Sequence, residues 1–152
     1  MKRTTILCLG LLLQLSLLAQ PKFTLKSAND FFDKGDYYNA IVNYEIYLGI
    51  RKPVLSFTPY GQKKIYPVSK TDSAAAADNI LATSTMVTAP IAYKLAESYR
   101  NQYHYLRAEK CYARLLQTPS TSYPIARYWY AVCLRSNNKL EEASAQLKTF
   151  IS

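Results

Sequence analysis

The stretch GDYYNAIVNYEIYL, residues Gly35–Leu48, decides the fold because its spacing of small and large side chains recurs along the chain. In this stretch Ala40 is followed four residues later by Tyr44. The same pairing of an alanine with a large residue occurs twice more, as Ala108/Tyr112 and Ala143/Leu147. The stretch is therefore one copy of a repeat rather than an isolated amphipathic helix.

A second alanine stands twelve residues before each of these, with a large residue three positions after it. These pairs are Ala28/Phe31, Ala96/Tyr99 and Ala131/Leu134. From Ala40 to Ala108 is 68 residues and from Ala108 to Ala143 is 35, which indicates a unit of about 34 residues with one period skipped. Alanines at this spacing fit the crossing point of two antiparallel helices, where small side chains let the backbones approach closely.

Turn residues separate the two alanines of each unit, at Lys34-Gly35-Asp36, Asn101-Gln102 and Ser136-Asn137-Asn138. A single unit leaves one apolar face uncovered, so the units have to stack. The sequence therefore predicts an all-α array of three helical hairpins, at about 22–52, 89–121 and 122–152, with an insertion at about 53–88.

The segments AYKLAESY and RAEKCYARLLQTP resemble the tetratricopeptide (TPR) motif. The residues at or beside its signature positions are Leu95, Ala96, Tyr99, Ala108, Tyr112 and Pro119. The chain departs from the motif at the first position, where Thr24, Ala92 and Arg127 replace tryptophan. The resemblance implies a TPR-like domain over 22–152 that binds other proteins without chemistry of its own.

The order of segments is similar to the amino-terminal TPR part of OmpA-family envelope proteins of the type IX secretion apparatus. A signal peptide, ANDFFDKGDYYNAIVNYEIYL, a long insertion and two further hairpins carry this resemblance. In that family a β-propeller, a small β-sandwich and a peptidoglycan-binding domain come after the TPR part. The resemblance implies a docking segment of a larger secretion or envelope assembly, with downstream domains.

The first nineteen residues are typical of a secretory signal peptide. Lys2 and Arg3 precede an apolar run from Ile6 to Leu18 that is shorter than a typical membrane span, and Ala19 allows cleavage. An uncleaved anchor is the alternative. We expect an exported protein, periplasmic or associated with the outer membrane.

The chain carries 19 Lys and Arg against 10 Asp and Glu, which favours acidic partners. Anionic lipid, an acidic protein and nucleic acid all fit this charge, and export makes nucleic acid the least expected. Proteins of the cell envelope are the expected partners, with peripheral membrane association as the alternative.

The insertion is the most basic part of the sequence, and no acidic residue lies between Ile46 and Thr71. We expect a proline-containing loop, followed by a short helix through AAAADNILA that Asp72 or Ser73 caps. The insertion is either a solvated loop or a contact with an acidic partner, anionic lipid or glycan. Its basic residues are Arg51, Lys52, Lys63, Lys64 and Lys70.

A TPR groove is lined by one face of the first helix of each hairpin, and the mixture of side chains there suits an extended peptide or a loop. The alternative is that Tyr93, Tyr128 and Trp129 only pack between neighbouring helices. The predicted groove residues are Asn29, Phe32, Asp33, Tyr93, Glu97, Arg100, Tyr128, Val132 and Arg135.

Catalytic and metal-binding patterns do not stand out. The single histidine, His104, lies between two tyrosines at a turn, which is more typical of packing than of catalysis. No enzyme activity, cofactor or metal is therefore predicted. Cys111 and Cys133 are either a disulfide pair or small buried hydrophobes.

The last helix carries Leu147, Phe150 and Ile151 at spacings of three and four, which places them on one apolar side. A helix of further chain or another subunit is expected to cover this side, and self-association through the last helix is one form of that expectation.

Overall fold

The computed structural model describes residues 24–51, 73–118 and 122–152. These residues form seven α-helices and no strand, so the all-α expectation is confirmed for them. The helices are α1 (Leu25–Asp33), α2 (Tyr37–Tyr47), α3 (Ser73–Thr83), α4 (Ala89–Asn101), α5 (Tyr105–Leu116), α6 (Ala126–Ser136) and α7 (Leu140–Ile151). None of them is long and apolar enough to cross a membrane.

Consecutive helices pack in pairs, α1 with α2, α4 with α5, and α6 with α7. Three residues join the helices of each pair. The pairs also pack on one another, because α4 lies against α2 and α6 lies against α5. One core of apolar side chains runs through these contacts.

The turns inside the three pairs have the same backbone geometry. Each contains one residue in the left-handed region, namely Gly35 (φ 75°), Tyr103 (φ 59°) and Asn138 (φ 62°). The amide of the residue after it donates to the carbonyl five positions back, at 2.9 Å in each turn: to Phe31, Tyr99 and Leu134. This bond satisfies a carbonyl at the end of the helix and lets the chain reverse direction.

Two of these turns lie one residue later than the sequence indicated. Asn101 and Ser136 were expected in turns, but both belong to helices. At the ends of α4 and α6 the left-handed residue comes four positions after a buried core residue, Tyr99 or Leu134, and ends the helix. Tyr103 takes that conformation although a left-handed tyrosine costs about 1–2 kcal/mol. Asn138 adopts it more readily.

The alanines of the repeat are buried, as the helix-crossing interpretation requires. Their neighbours Tyr44, Tyr99, Tyr112 and Leu134 are also fully buried, whereas Leu147 remains 38% exposed. The six buried alanines are Ala28, Ala40, Ala96, Ala108, Ala131 and Ala143.

The helix expected after Asp72 is present as α3, which packs against α5. Ala77 and Leu81 are its buried residues, and Asp78 forms an ion pair with Lys110 of α5. Several sequence-based predictions lie outside the described residues: the signal peptide at 1–19, the loop of the insertion, and Lys52, Lys63, Lys64 and Lys70.

Candidate partner-binding surface

Aromatic and cationic side chains of α1 and α4 meet at one end of the predicted groove. Phe32 contacts Tyr37 edge to face, with ring centroids 5.8 Å apart. The Lys94 ammonium lies 5.0 Å from the centroid of the Phe32 ring and 2.9 Å from the Asp33 carboxylate. Phe32 is therefore partly covered, and Asp33 is exposed but already paired.

The middle of the groove holds a stacked tyrosine pair. The rings of Tyr93 on α4 and Tyr123, just before α6, lie 4.5 Å apart with an interplanar angle of 25°. Burial, and then the negative charge of Glu97, raise the pKa of Tyr93. Both tyrosines remain partly exposed, so their outer edges are open to a ligand.

Arg100, on the same helix as Tyr93, contacts an aromatic residue of α6. Its guanidinium lies 3.9 Å from the centroid of the Trp129 ring, a cation–π contact. Trp129 also contacts Tyr128 at 4.8 Å, and Tyr128 contacts Phe150 of α7 at 5.8 Å. These contacts extend the aromatic surface from α4 to α7.

Two predicted groove residues accept hydrogen bonds from tyrosine hydroxyls of the core. Glu97 is 9% exposed, and it accepts hydrogen bonds from Arg100 at 2.5 Å and from the buried Tyr112 hydroxyl. Asn29 accepts the equivalent hydrogen bond in the first pair, from Tyr44 at 2.6 Å. Burial, and then the bond to Glu97, raise the pKa of Tyr112 well above its usual range.

The third helix pair has no such bond, because Val132 and Leu147 occupy the equivalent positions. Arg135, at the last turn of α6, is exposed. The structure thus brings together Phe32, Tyr93, Arg100 and Tyr128 with Tyr37, Tyr123 and Trp129 as a partly exposed surface, which we call the aromatic groove. Glu97, which is buried, does not belong to it.

One buried carboxylate was not predicted from the sequence. Glu45 of α2 is 1% exposed and accepts hydrogen bonds from the Tyr99 hydroxyl at 2.8 Å and from Arg107. The Nε of Arg51 also donates to it, at 2.7 Å. A carboxylate in the middle of the apolar helix YYNAIVNYEIY was a usable signal, because buried charges need partners.

The interaction with Glu45 changes how Arg51 is interpreted. Arg51 was counted with the basic insertion as a residue for acidic partners, but its charge is bound within the fold. The physical reason is proximity, since the chain folds back after α2 and the Arg51 amide also bonds to the Glu45 carbonyl, at 3.1 Å. The other four basic residues of the insertion lie outside the described ranges.

A second carboxylate connects α5 to the last turn. Glu109 accepts hydrogen bonds from Asn137 at 2.7 Å and from Lys139 at 2.6 Å. The hydrogen bond to Glu109 raises the pKa of Lys139. Both interfaces between helix pairs therefore contain a carboxylate from the second helix of one pair, bound by residues of the next pair.

Cys111 and Cys133 are free thiols and fully buried, which agrees with the interpretation as small hydrophobes. Burial raises the pKa of Cys133 to about 12 and raises the pKa of Cys111 as well. His104 is exposed at the start of α5, 6.2 Å from the Tyr99 ring. Among the residues with described positions, no cluster of three or more His, Cys, Asp or Glu side chains could hold a metal ion.

Comparison with known proteins gives no match: no protein-family model, no curated protein and no solved structure is significantly similar to this chain.

Proposed function

We propose that the chain is a TPR-like array that binds a protein partner in the cell envelope and has no catalytic role. The observation that carries the proposal is the aromatic groove, which crosses three helix pairs. It offers tyrosine, phenylalanine and tryptophan edges beside Arg100 and Lys94. Aromatic side chains with a polar tip, together with arginine, are the residues that protein interfaces favour.

The TPR-like part of the proposal is supported by the repetition of the backbone. Each of the three turns contains a left-handed residue at the equivalent position of the repeat, and all three have the same hydrogen-bond pattern. The buried alanines fall at the same places in each pair. A repeat in both sequence and geometry is typical of stacked helical hairpins.

Both cations of the groove already have a carboxylate partner, Asp33 for Lys94 and Glu97 for Arg100, so the aromatic edges carry the proposal rather than the charges. Lys94 lies over Phe32, and Arg100 over Trp129, so each cation is held at the groove by an aromatic ring. An extended peptide with apolar side chains would match this arrangement. From the signal-peptide pattern and the resemblance to type IX secretion proteins, we propose that this partner lies in the periplasm or at the outer membrane.

The alternative function, a basic surface that binds anionic lipid or glycan, depends on the insertion. Arg51 is bound to Glu45, which weakens that alternative by one charge. The described part of the chain contains no observation that favours it over the groove.

The test is photo-crosslinking in intact envelopes, with the groove variant Tyr93→Ala/Tyr128→Ala compared with wild type. The matched control is Tyr38→Ala/Leu106→Ala, which removes two exposed side chains at the starts of α2 and α5. We expect the groove variant to lose a specific crosslinked protein at least tenfold and the control to retain it. Equal crosslinking by both variants would contradict the proposal.

A further inference from the structure

The outer face of α7 combines one large exposed apolar side chain, two small residues and two charges. Leu140 is 54% exposed, and it lines a shallow surface depression with Glu141, Ser144, Ala145 and Lys148. Leu140, Ser144 and Lys148 are four residues apart, as are Glu141 and Ala145, so the five residues share one face. We call it the α7 face.

The equivalent faces of α2 and α5 are covered in part, since Tyr38 and Leu106, the equivalents of Glu141, are exposed. Ile41 and Glu45 of α2, and Leu48 directly after it, are buried where α4 packs on that helix. Glu109 of α5 is buried beside the turn before α7. In both cases the covering residues bind a carboxylate, Glu45 or Glu109.

The α7 face differs from those two faces in its charge. Lys148 stands where α2 has Glu45, and Ser144 stands where α5 has Glu109. A helix that packed on α7 as α4 packs on α2 would therefore bring hydrogen-bond donors to positions where this face has no carboxylate. The internal interfaces thus do not describe what fits here.

We infer that the α7 face binds the α7 face of a second copy of this chain, with the two helices antiparallel. Glu141 and Lys148 are separated by seven residues, or about 10 Å along the helix axis. In an antiparallel pair centred between Ser144 and Ala145, Glu141 of each copy lies opposite Lys148 of the other. The arrangement is self-complementary, as a two-fold interface requires.

Three observations agree with this centre. Ser144 and Ala145 are the smallest side chains of the face. In the proposed pairing they would lie where the two helices come closest. Neither Glu141 nor Lys148 forms an ion pair within the described residues, so both charges are free for a neighbour. Leu140 is placed to pack on the aliphatic stem of the opposing lysine.

The charges also select the direction of pairing. In a parallel pair Glu141 would face Glu141 and Lys148 would face Lys148, which is unfavourable on both counts. The interface involves one helix from each copy, so the dimer is weak and depends on protein concentration.

The test is analytical ultracentrifugation of the chain over about 1 µM to 1 mM, the range in which weak interfaces assemble. We expect a monomer–dimer equilibrium for the wild type. Glu141→Lys and Lys148→Glu should each weaken dimerisation roughly tenfold, because each turns two attractive contacts into two repulsive ones. The double variant Glu141→Lys/Lys148→Glu should restore it.

The matched control is Glu142→Lys, which makes the same charge change one residue away on a different side of α7 and should leave the dimer intact. Circular dichroism checks that every variant folds. A wild type that stays monomeric up to 1 mM would overturn the inference, and would leave the face to a helix of another protein or of further chain. Dimerisation that ignores the single swaps, or that the double swap does not restore, would also overturn it.

Discussion

Helices α2 and α7 occupy equivalent places in the first and third helix pairs, yet Ile41 and Glu45 on the outer face of α2 are buried and the residues on the outer face of α7 are exposed. Leu48, the residue directly after α2, is 5% exposed, whereas Ile151, its equivalent in α7, is 79% exposed. Both helices place apolar side chains at the same repeat positions. The difference shows that burial depends on the helix that packs on a face, here α4 on α2, and that the repeat pattern alone does not determine it.

The charges of the two helices differ in the same way. Glu45 of α2 is enclosed by Tyr99, Arg107 and Arg51, whereas Lys148 of α7 is exposed. A carboxylate is kept in the interior only with several partners, because its desolvation is costly without them. Substitutions at equivalent positions of α2 and α7 therefore test the comparison directly.

The largest effect is expected for Leu48→Ala compared with Ile151→Ala. Leu48 lies in the core, so its truncation loses buried area and leaves a cavity, at a cost of about 3 kcal/mol in the free energy of unfolding. Ile151 is largely in water, and its truncation should change that free energy by less than about 0.5 kcal/mol. Urea denaturation of dilute protein measures the free energy of unfolding of both variants. Similar losses for the two variants would contradict the difference in burial between Leu48 and Ile151.

A smaller effect is expected for Glu45→Gln compared with Lys148→Gln. Glutamine keeps the shape of Glu45 but removes the charge that Arg51 and Arg107 share. The loss should be roughly 2 kcal/mol, below the range for fully buried pairs because both arginines are partly exposed. Lys148→Gln should be close to neutral when the protein is dilute.

Urea denaturation of both variants in low salt and in 1 M salt shows whether the lost interaction is buried or exposed. Salt screens a buried ion pair less than an exposed one. If Glu45→Gln costs no more than Lys148→Gln, the Glu45 cluster does not stabilise the interface between the first two pairs.

The alanines and turn residues made the helices and their pairing predictable, because these signals are local and repeat at a fixed spacing. The turns at Tyr103 and Asn138 were located to within one residue for the same reason. The contact of Arg107 with Glu45 spans 62 positions in the sequence, and no local pattern joins them. Such contacts depend on the angle at which helices cross, which the repeat does not specify.

The candidate groove was predicted only in part, and the reason is again a contact between helices. Phe32, Tyr93, Arg100 and Tyr128 lie on the aromatic surface, as the register of the first helices indicated. Glu97 has the same register but is turned inward by its bonds to Tyr112 and Arg100. Register places a residue on a face, whereas its partners decide whether it remains available to a ligand.

The smallest effect is a pH dependence that distinguishes the first two helix pairs from the third. Burial and the bond to Glu97 raise the pKa of Tyr112, whereas the equivalent residue of the third pair is Leu147, which does not titrate. A raised pKa in the folded state gives stability that is complete below the unfolded value near 10 and is lost as the pH rises above it. By pH 11 this loss is about 1.4 kcal/mol for one tyrosine that stays protonated in the folded protein.

We therefore expect Tyr112→Phe to lose about 1.4 kcal/mol less stability than the wild type between pH 8 and pH 11, measured by urea denaturation at each pH. Leu147→Ala is the control, and its loss over this range should equal that of the wild type. Parallel pH profiles for the wild type and Tyr112→Phe would mean that the Tyr112 hydroxyl ionises as readily in the folded chain as in water, against the burial and hydrogen bonding that the structure assigns to it.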